Sequence, residues 1–291
     1  MSEFLARLFV LLQRVLPKYL LTTTIFWLAR RRAVWLKDFL IRQFVKAYDV
    51  NVDEVLLPVP DGFDSFNAFF IRQLADDART IENDNAAIVS PADGTVSAAG
   101  GIEKDQLFQA KGIRYSLADL LATDMAEADA YIDGAFATIY LAPYNYHRVH
   151  APVDGELVTA RYVPGDLFSV NAATVAALPG LFVRNERLIC HISTSTGPMA
   201  IIFVGAMNVG SISTRWTGEI RPRKSGVVEQ IDVPADESTR RFNKGDDIGW
   251  FNMGSTVILL RPPGTSNNFA DISAGQTVRM GQTIGRITDN R

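Results

Sequence analysis

The chain has 291 residues, 47% of them hydrophobic and 21% charged, enough to bury one substantial core and too apolar for a disordered or fibrous class. A net charge of -3 offers nucleic acid no general attraction, so no nucleic-acid partner is expected and any anion binding must be local. The single cysteine, Cys190, excludes an internal disulfide and gives zinc no paired thiolates, which fits a reducing compartment.

In chain order, the first 48 residues combine Leu, Phe and Trp with nine cations against only Glu3 and Asp38. At 100° per residue Arg7, Arg14 and Lys18 fall on one stripe of an otherwise apolar helix. Pro17 should break that helix, and a second one around Val34 to Ala47 places Leu36, Phe39 and Leu40 on one face. Charges interrupt every apolar run before the roughly 20 residues a spanning helix needs, and no small-residue cleavage site follows, so neither a spanning segment nor a signal peptide is read. Trp27 and Trp35 flanking Arg30, Arg31 and Arg32 suit the interface of an anionic membrane. Packing of two ordinary amphipathic helices against the remainder is the alternative.

From about Ile88 the pattern changes to short β-rich runs separated by Gly, Pro and Asp. The expected fold class is α+β, with N-terminal amphipathic helices followed by a predominantly antiparallel β domain. KGDDIGWF from Lys244 and RMGQTIGRI from Arg279 echo one another in the manner of lipoyl-like hairpins, although two turns needing glycine at positive φ explain them equally well.

Three segments carry candidate chemistry. In FNMGSTVILL, Phe251 to Leu260, Ser255 should open a buried strand directly after Gly254. A hydroxyl there can attack the Gly254 carbonyl; the resulting ester can eliminate across Cα–Cβ, and hydrolysis then leaves a pyruvoyl group. Taken alone, Gly-Ser-Thr is as readily a simple turn. A serine nucleophile needs a base and a group to orient it. LAPYNYHRVHAPVDG, Leu141 to Gly155, supplies His147 and His150 in a Pro-bounded loop, and SPADGTV, Ser90 to Val96, supplies Asp93 at what is otherwise an Asp-Gly turn.

Together these pieces resemble the pyruvoyl-dependent phosphatidylserine decarboxylase family, of the prokaryotic type I kind. The resemblance rests on SPADG at Asp93, YHRVH at His147 and His150, VPGDLFSVN from Val163 to Asn171, VRNER from Val183 to Arg187, FNAFFIRQL from Phe66 to Leu74, and GST at Gly254 to Thr256. It runs from about residue 60 to the C-terminus. It implies that Ser255 attacks, His150 takes its proton and Asp93 orients His150, while His147 serves mainly in decarboxylation. Cleavage at Gly254–Ser255 would give a β chain, 1–254, and an α chain, 255–291, paired as a heterodimer; a homodimer of these heterodimers is compatible with it. The cofactor implied is the covalent pyruvoyl group made from Ser255, which forms a Schiff base with phosphatidylserine, releases CO2 and yields phosphatidylethanolamine, with no metal. Residues 1–48 would form a membrane-associating segment and 49–291 the decarboxylase domain, peripheral on the cytoplasmic face of the inner membrane. Met253 stands where the family usually has Leu, and Asn145 where an acidic residue often precedes Tyr-His.

Two other readings fit parts of the sequence. A membrane-associated serine hydrolase would use Asp93, His150 and Ser255 on an external ester and leave Ser255 intact. A lipoyl-like scaffold would need an exposed lysine at a hairpin tip, where Met280-Gly281 and Asp246-Asp247 stand instead.

Overall fold

The computed structural model describes residues 3–124, 128–207, 210–264 and 269–287. Three helices come first, α1 Glu3–Val15, α2 Lys18–Ala29 and α3 Val34–Tyr48. The break falls at Pro17, which caps α2 and has no N–H to continue the preceding turn. Among the described residues no helix is long and apolar enough to cross a membrane.

The first helix turns Ala6, Val10 and Gln13 inward. The Gln13 amide receives the backbone N–H of Ser169 at 2.8 Å and donates to Thr174 Oγ1 at 3.2 Å, tying α1 to the loop before the helix Ala172–Ala177. The basic stripe is shorter than its spacing suggests. Lys18 is buried, ion-paired with Asp166 at 2.9 Å and placed over the Phe168 ring, because the chain turns at Pro17 and points it at the β domain. In α3 the inward face is also rotated from the expected one: Ile41 is buried with Leu40, Phe44 and Val45 beside it, while Phe39 is exposed.

A short helix, α4 Phe66–Phe70, is capped by Ser65, whose hydroxyl accepts the Ala68 N–H at 3.1 Å. Its phenylalanines form, with Phe44 and Phe63, an edge-to-face cluster against which Met253 leans.

The main sheet is antiparallel throughout. In spatial order its strands are Glu229–Ile231, Gly155–Val163, Arg187–Thr194, Gly197–Val204, Ser255–Arg261, Ala135–Leu141, Gly94–Gly101 and Thr277–Val278. Ser255–Arg261 lies near the middle, and all seven of its residues are buried. That explains its continuous apolar reading, since a strand covered on both faces need not alternate.

The two echoed turns are related by an approximate two-fold. Ser90 exchanges backbone bonds with Gly281 and Gln282, and Ala151 makes the same pair with Gly245 and Asp246. The halves cross where Val89 N–H donates to Pro152 and His150 N–H donates to Pro91. Asp93 accepts the Met280 N–H at 2.8 Å, as Asp154 accepts the Lys244 N–H at 2.7 Å. Both turn glycines have positive φ, 89° at Gly245 and 86° at Gly281, and both abut Ile81, Gly281 meeting Thr80 as well. A Cβ at Gly245 would stand 2.2 Å from Ile81 Cδ1, and one at Gly281 2.5 Å from the Thr80 carbonyl. Glycine is therefore required twice over.

Candidate active site

Ser255 is the first residue of the buried strand, directly after a tight turn in which Met253 and Gly254 both have positive φ, 103° and 60°. The turn is anchored by Asn252, whose backbone bonds Ser211 and Gly210 and whose amide donates to Ser211 and Ser213 hydroxyls and accepts from Asn67. Ser255 opens the ladder to the strand ending at Leu141, and the ladder on the other side begins one residue later, with Thr256 opposite Val204. Its Oγ is fully buried and has no hydrogen-bond partner. An unpaired buried hydroxyl costs about 1–3 kcal/mol, and such a group calls for an explanation other than packing.

His147 is fully buried and lies 4.1 Å, centroid to centroid, from the Phe70 ring. Its Nδ1 donates to the Asn145 carbonyl at 2.8 Å, which places the ring proton there and leaves Nε2 as a lone pair without a partner. Burial pushes its pKa down to about 3, and the Arg72 guanidinium pushes the same way. His147 is therefore a neutral imidazole. Asn145 tunes it through its carbonyl, while the Asn145 side chain accepts the Ala142 N–H and holds the turn.

His150, on the strand Arg148–His150, donates from Nδ1 to the Gly245 carbonyl at 2.7 Å and accepts the Tyr146 hydroxyl at Nε2, 2.9 Å away. Burial lowers its pKa, against the raising effects of that carbonyl and the Asp247 and Asp93 charges. Asp93 is gripped by both ends of the Arg79 guanidinium and by the Met280 N–H. Arg79 also pairs with Glu54 at 2.8 Å. The structure thus brings Asp93 and His150 into one electrostatic neighbourhood, with the hairpin carbonyl of Gly245, and not Asp93, on the imidazole. Ser255 is hydrogen-bonded to neither.

Beside these residues a cleft of about 230 Å³ is lined by Arg72, Arg79, Asp93, Tyr144, Asn145, Tyr146 and Arg279. Arg72 is 4% exposed, yet its Nε and Nη1 have no partner. Among the described residues no group of three or more His, Cys, Asp and Glu side chains is placed to hold a metal ion.

A family model described as phosphatidylserine decarboxylase matches residues 66–286, and a second, described as PSD, matches residues 8–49. The chain is 46% identical over 279 residues to a phosphatidylserine decarboxylase proenzyme of Methylococcus capsulatus, covering 96% of each chain. It is 45% identical to proenzymes of the same description from Saccharophagus degradans, covering 96% of this chain and 97% of that one, and Citrobacter koseri, covering 96% and 87%. The chain belongs to the phosphatidylserine decarboxylase family.

The other motifs of the family resemblance take up structural positions. Arg187 is buried, and its guanidinium donates to the carbonyls of Asp119, Leu120, Val183 and Asn185, so its charge is held by backbone and does not face solvent. Asn185 clasps both backbone groups of Phe168 and the Gly205 carbonyl. VRNER therefore holds VPGDLFSVN in place. Tyr146 stands inside YHRVH, Gly245 inside KGDDIGWF, Asn252 inside FNMGSTVILL and Arg72 inside FNAFFIRQL, so each lay in a segment already singled out, without a role assigned to it; Arg79 lies in none of them, and its partners Asp93 and Glu54 are brought to it by the fold.

Proposed function

We propose that this chain is made as a proenzyme, cuts itself between Gly254 and Ser255, and decarboxylates phosphatidylserine to phosphatidylethanolamine. The observation that carries the reading is Ser255 itself: a buried, unpartnered hydroxyl immediately after two positive-φ residues, at the head of a strand held on both sides. The surroundings fit a ketone at residue 255, which needs no donor for a lost hydroxyl and stays fixed by the ladder that begins there. Such a group supplies an electron sink for the pair released as CO2 leaves.

The chain's own residues divide the work. Ser255 Oγ is the nucleophile. His150 is the base, reached once Nε2 exchanges its bond from Tyr146, and Asp93 favours the charged imidazole through its field. His147, neutral with a free Nε2 lone pair, takes up a proton before handing it to the substrate carbon. Arg72 gives the adjacent cleft a fixed positive charge for the anionic headgroup.

The two chains, 1–254 and 255–291, remain together as a heterodimer, because four consecutive side chains of the smaller one, Val257 to Leu260, are wholly buried in the shared sheet. Residues 265–268 and 288–291 of the smaller chain lie outside the described residues. Residues 1–48 form the membrane-associating segment and 49–291 the catalytic domain. Phe4, Leu8, Leu11, Leu12, Val15, Leu20, Trp27 and Trp35 are exposed, and Arg31 lies over the Trp27 ring. This exceeds what a water-facing surface normally tolerates and suits burial at the interface of an anionic bilayer. Peripheral attachment to the cytoplasmic face of the inner membrane suits this surface, and a pair of heterodimers is compatible with that face.

Intact-mass measurement with and without borohydride tests the reading. Two chains are expected, the smaller gaining two hydrogens on reduction, and Ser255→Ala should remain one inactive chain. A single uncleaved wild-type chain with unmodified Ser255 would refute it.

A further inference from the structure

The VRNER carboxylate, Glu186, has no role in the roles assigned above, and its position relative to Ser255 can be read from the ladders. Arg187 is opposite Val204, and Val204 is opposite Thr256. One step further along the same antiparallel registers, Glu186, Gly205 and Ser255 form a row, with side chains on a common face. Gly205 donates its N–H to the Glu186 carbonyl at 2.9 Å. Residues 186 and 205 are thus joined by a backbone bond, which makes Gly205 and Ser255 a non-hydrogen-bonded pair with Cα atoms about 4.5 Å apart. In such a pair the Cα–H bonds point at each other across the gap. The Cα–H of Ser255 faces Gly205.

Gly205 has no side chain, and the Glu186 carboxyl fills that space: a Cβ at Gly205 would stand 2.5 Å from Glu186 Oε1 and 2.6 Å from Cγ. Tyr162 donates to Oε2 at 2.6 Å, and its hydroxyl in turn accepts the Arg223 N–H. Oε1 is buried and has no partner. Glu186 is 0% exposed, and burial raises its pKa to about 7, against smaller lowering effects of Tyr162 and Arg223. Such a carboxylate is a far better base than an exposed one, and near neutral pH it exists in both forms. Tyr19, on α2, feels the Glu186 charge in turn, which adds to burial in keeping its hydroxyl protonated.

We infer that Glu186 is the base of the elimination step in maturation, its Oε1 removing the Cα proton of residue 255 after the chain has shifted onto the Ser255 oxygen. This rests on the self-cleavage reading. The proton passes to Oε1, the Cα–H electron pair forms the Cα=Cβ bond, and the Cβ–Oγ bond breaks. Oγ leaves with the Gly254 acyl group as the new C-terminal carboxylate of the larger chain. The same acid then returns its proton to Cβ, giving the methyl group and an iminium ion at Cα; water adds and ammonium departs, leaving the ketone. His150 keeps the earlier step, acyl transfer to Oγ.

The test follows precursor purified soon after synthesis, by intact mass and by hydroxylamine, which cuts an ester at residue 255 but not an amide. Glu186→Gln keeps the shape and the Tyr162 bond but cannot take the proton. It should form pyruvoyl at least 100-fold more slowly and accumulate full-length chain that hydroxylamine splits, releasing a 255–291 fragment that begins with unmodified serine. Gly205→Ala, whose φ permits alanine, pushes the carboxyl aside and should stall at the same ester. Wild-type maturation rate in Glu186→Gln would overturn the assignment. So would a chain resistant to hydroxylamine in both variants with wild-type melting temperatures, which would place Glu186 before ester formation. Should Glu186→Gln fold poorly, Gly205→Ala and Glu186→Asp decide, rapid maturation in both counting against the proposal. Absence of pyruvoyl in the wild-type chain itself would instead sink the self-cleavage reading.

Discussion

The Arg79–Asp93 pair offers a quantitative test of how the site is held. Arg79 is 7% exposed, with Asp93 at 10% and Glu54 at 22%. Burial works against the guanidinium charge, but the hydrogen bonds it donates to two carboxylates more than compensate and hold its pKa above the ordinary value. Arg79→Met fills similar volume and strands Asp93 in a buried site with only the Met280 N–H as donor. Removing one partner of a buried pair costs about 3–5 kcal/mol. Asp93→Asn keeps an oxygen for Met280 while deleting the charge, so in the Arg79→Met background it should recover about 2 kcal/mol or more. Urea unfolding in the Ser255→Ala background, where the chain stays whole, measures all four corners of this cycle. Asp154→Asn is the internal control: the same cap on Lys244, exposed, with a cost under about 1 kcal/mol. An Arg79→Met loss below 1 kcal/mol, or additive effects of the two substitutions, would show that the pair does not hold the site together.

His147 should make the fold acid-sensitive. Its folded pKa is depressed to about 3, so between about pH 6.5 and 3 the unfolded chain binds a proton that the folded chain refuses. Stability is intact above 6.5 and falls by about 1.4 kcal/mol per pH unit below it, and His147→Gln should remove about 2 kcal/mol of the difference between pH 7 and pH 5 in urea titrations; an identical difference in both proteins would contradict a buried neutral imidazole. The cleaved chains should co-elute in gel filtration without denaturant, since four fully buried aliphatic side chains contribute on the order of 6–12 kcal/mol to docking; free 255–291 peptide in buffer would argue otherwise. Leu8→Ser, Leu11→Ser and Val15→Ser together should abolish sedimentation with anionic liposomes and leave the melting temperature unchanged, because these side chains face outward. Retained binding would move the membrane contact elsewhere. Deleting residues 1–48 is the poorer test, as it also removes Gln13 and Lys18 from the Ser169 loop.

The α+β class, the break at Pro17, the buried strand at Ser255 and the paired turns at Gly245 and Gly281 were legible because each depends on local pattern: a proline, an apolar run, a glycine at a turn. What was not legible depends on partners distant in sequence. Lys18 looked like one more cation on a stripe until Asp166, 148 positions on, took it inward. His150 invited pairing with Asp93, the nearest carboxylate in motif terms, but its ring is oriented by a backbone carbonyl, which no residue type announces. Glu186 was visible only as a letter in VRNER; its carboxyl lies over Gly205 because that residue, distant in sequence, has no side chain.

The approximate two-fold explains why Asp93 looked ordinary in the sequence. Asp93 and Asp154 do the same structural work, each accepting the N–H at the head of a glycine turn, so Asp-Gly before a strand was rightly also a turn signal. The two frames differ in what surrounds them. On the Asp93 side stand Arg79, Tyr146 and His150, buried or nearly so; on the Asp154 side the carboxylate is exposed. The backbone geometry is therefore shared and the chemistry is not. The arginine comes from the segment that follows α4, where it pairs with Glu54 as well as with Asp93. The asymmetry of the site is supplied by Arg79 together with Tyr146 and His150, and Arg79→Met should disturb His150 more than Asp154→Asn does, because the Asp93 that Arg79 holds acts on that imidazole.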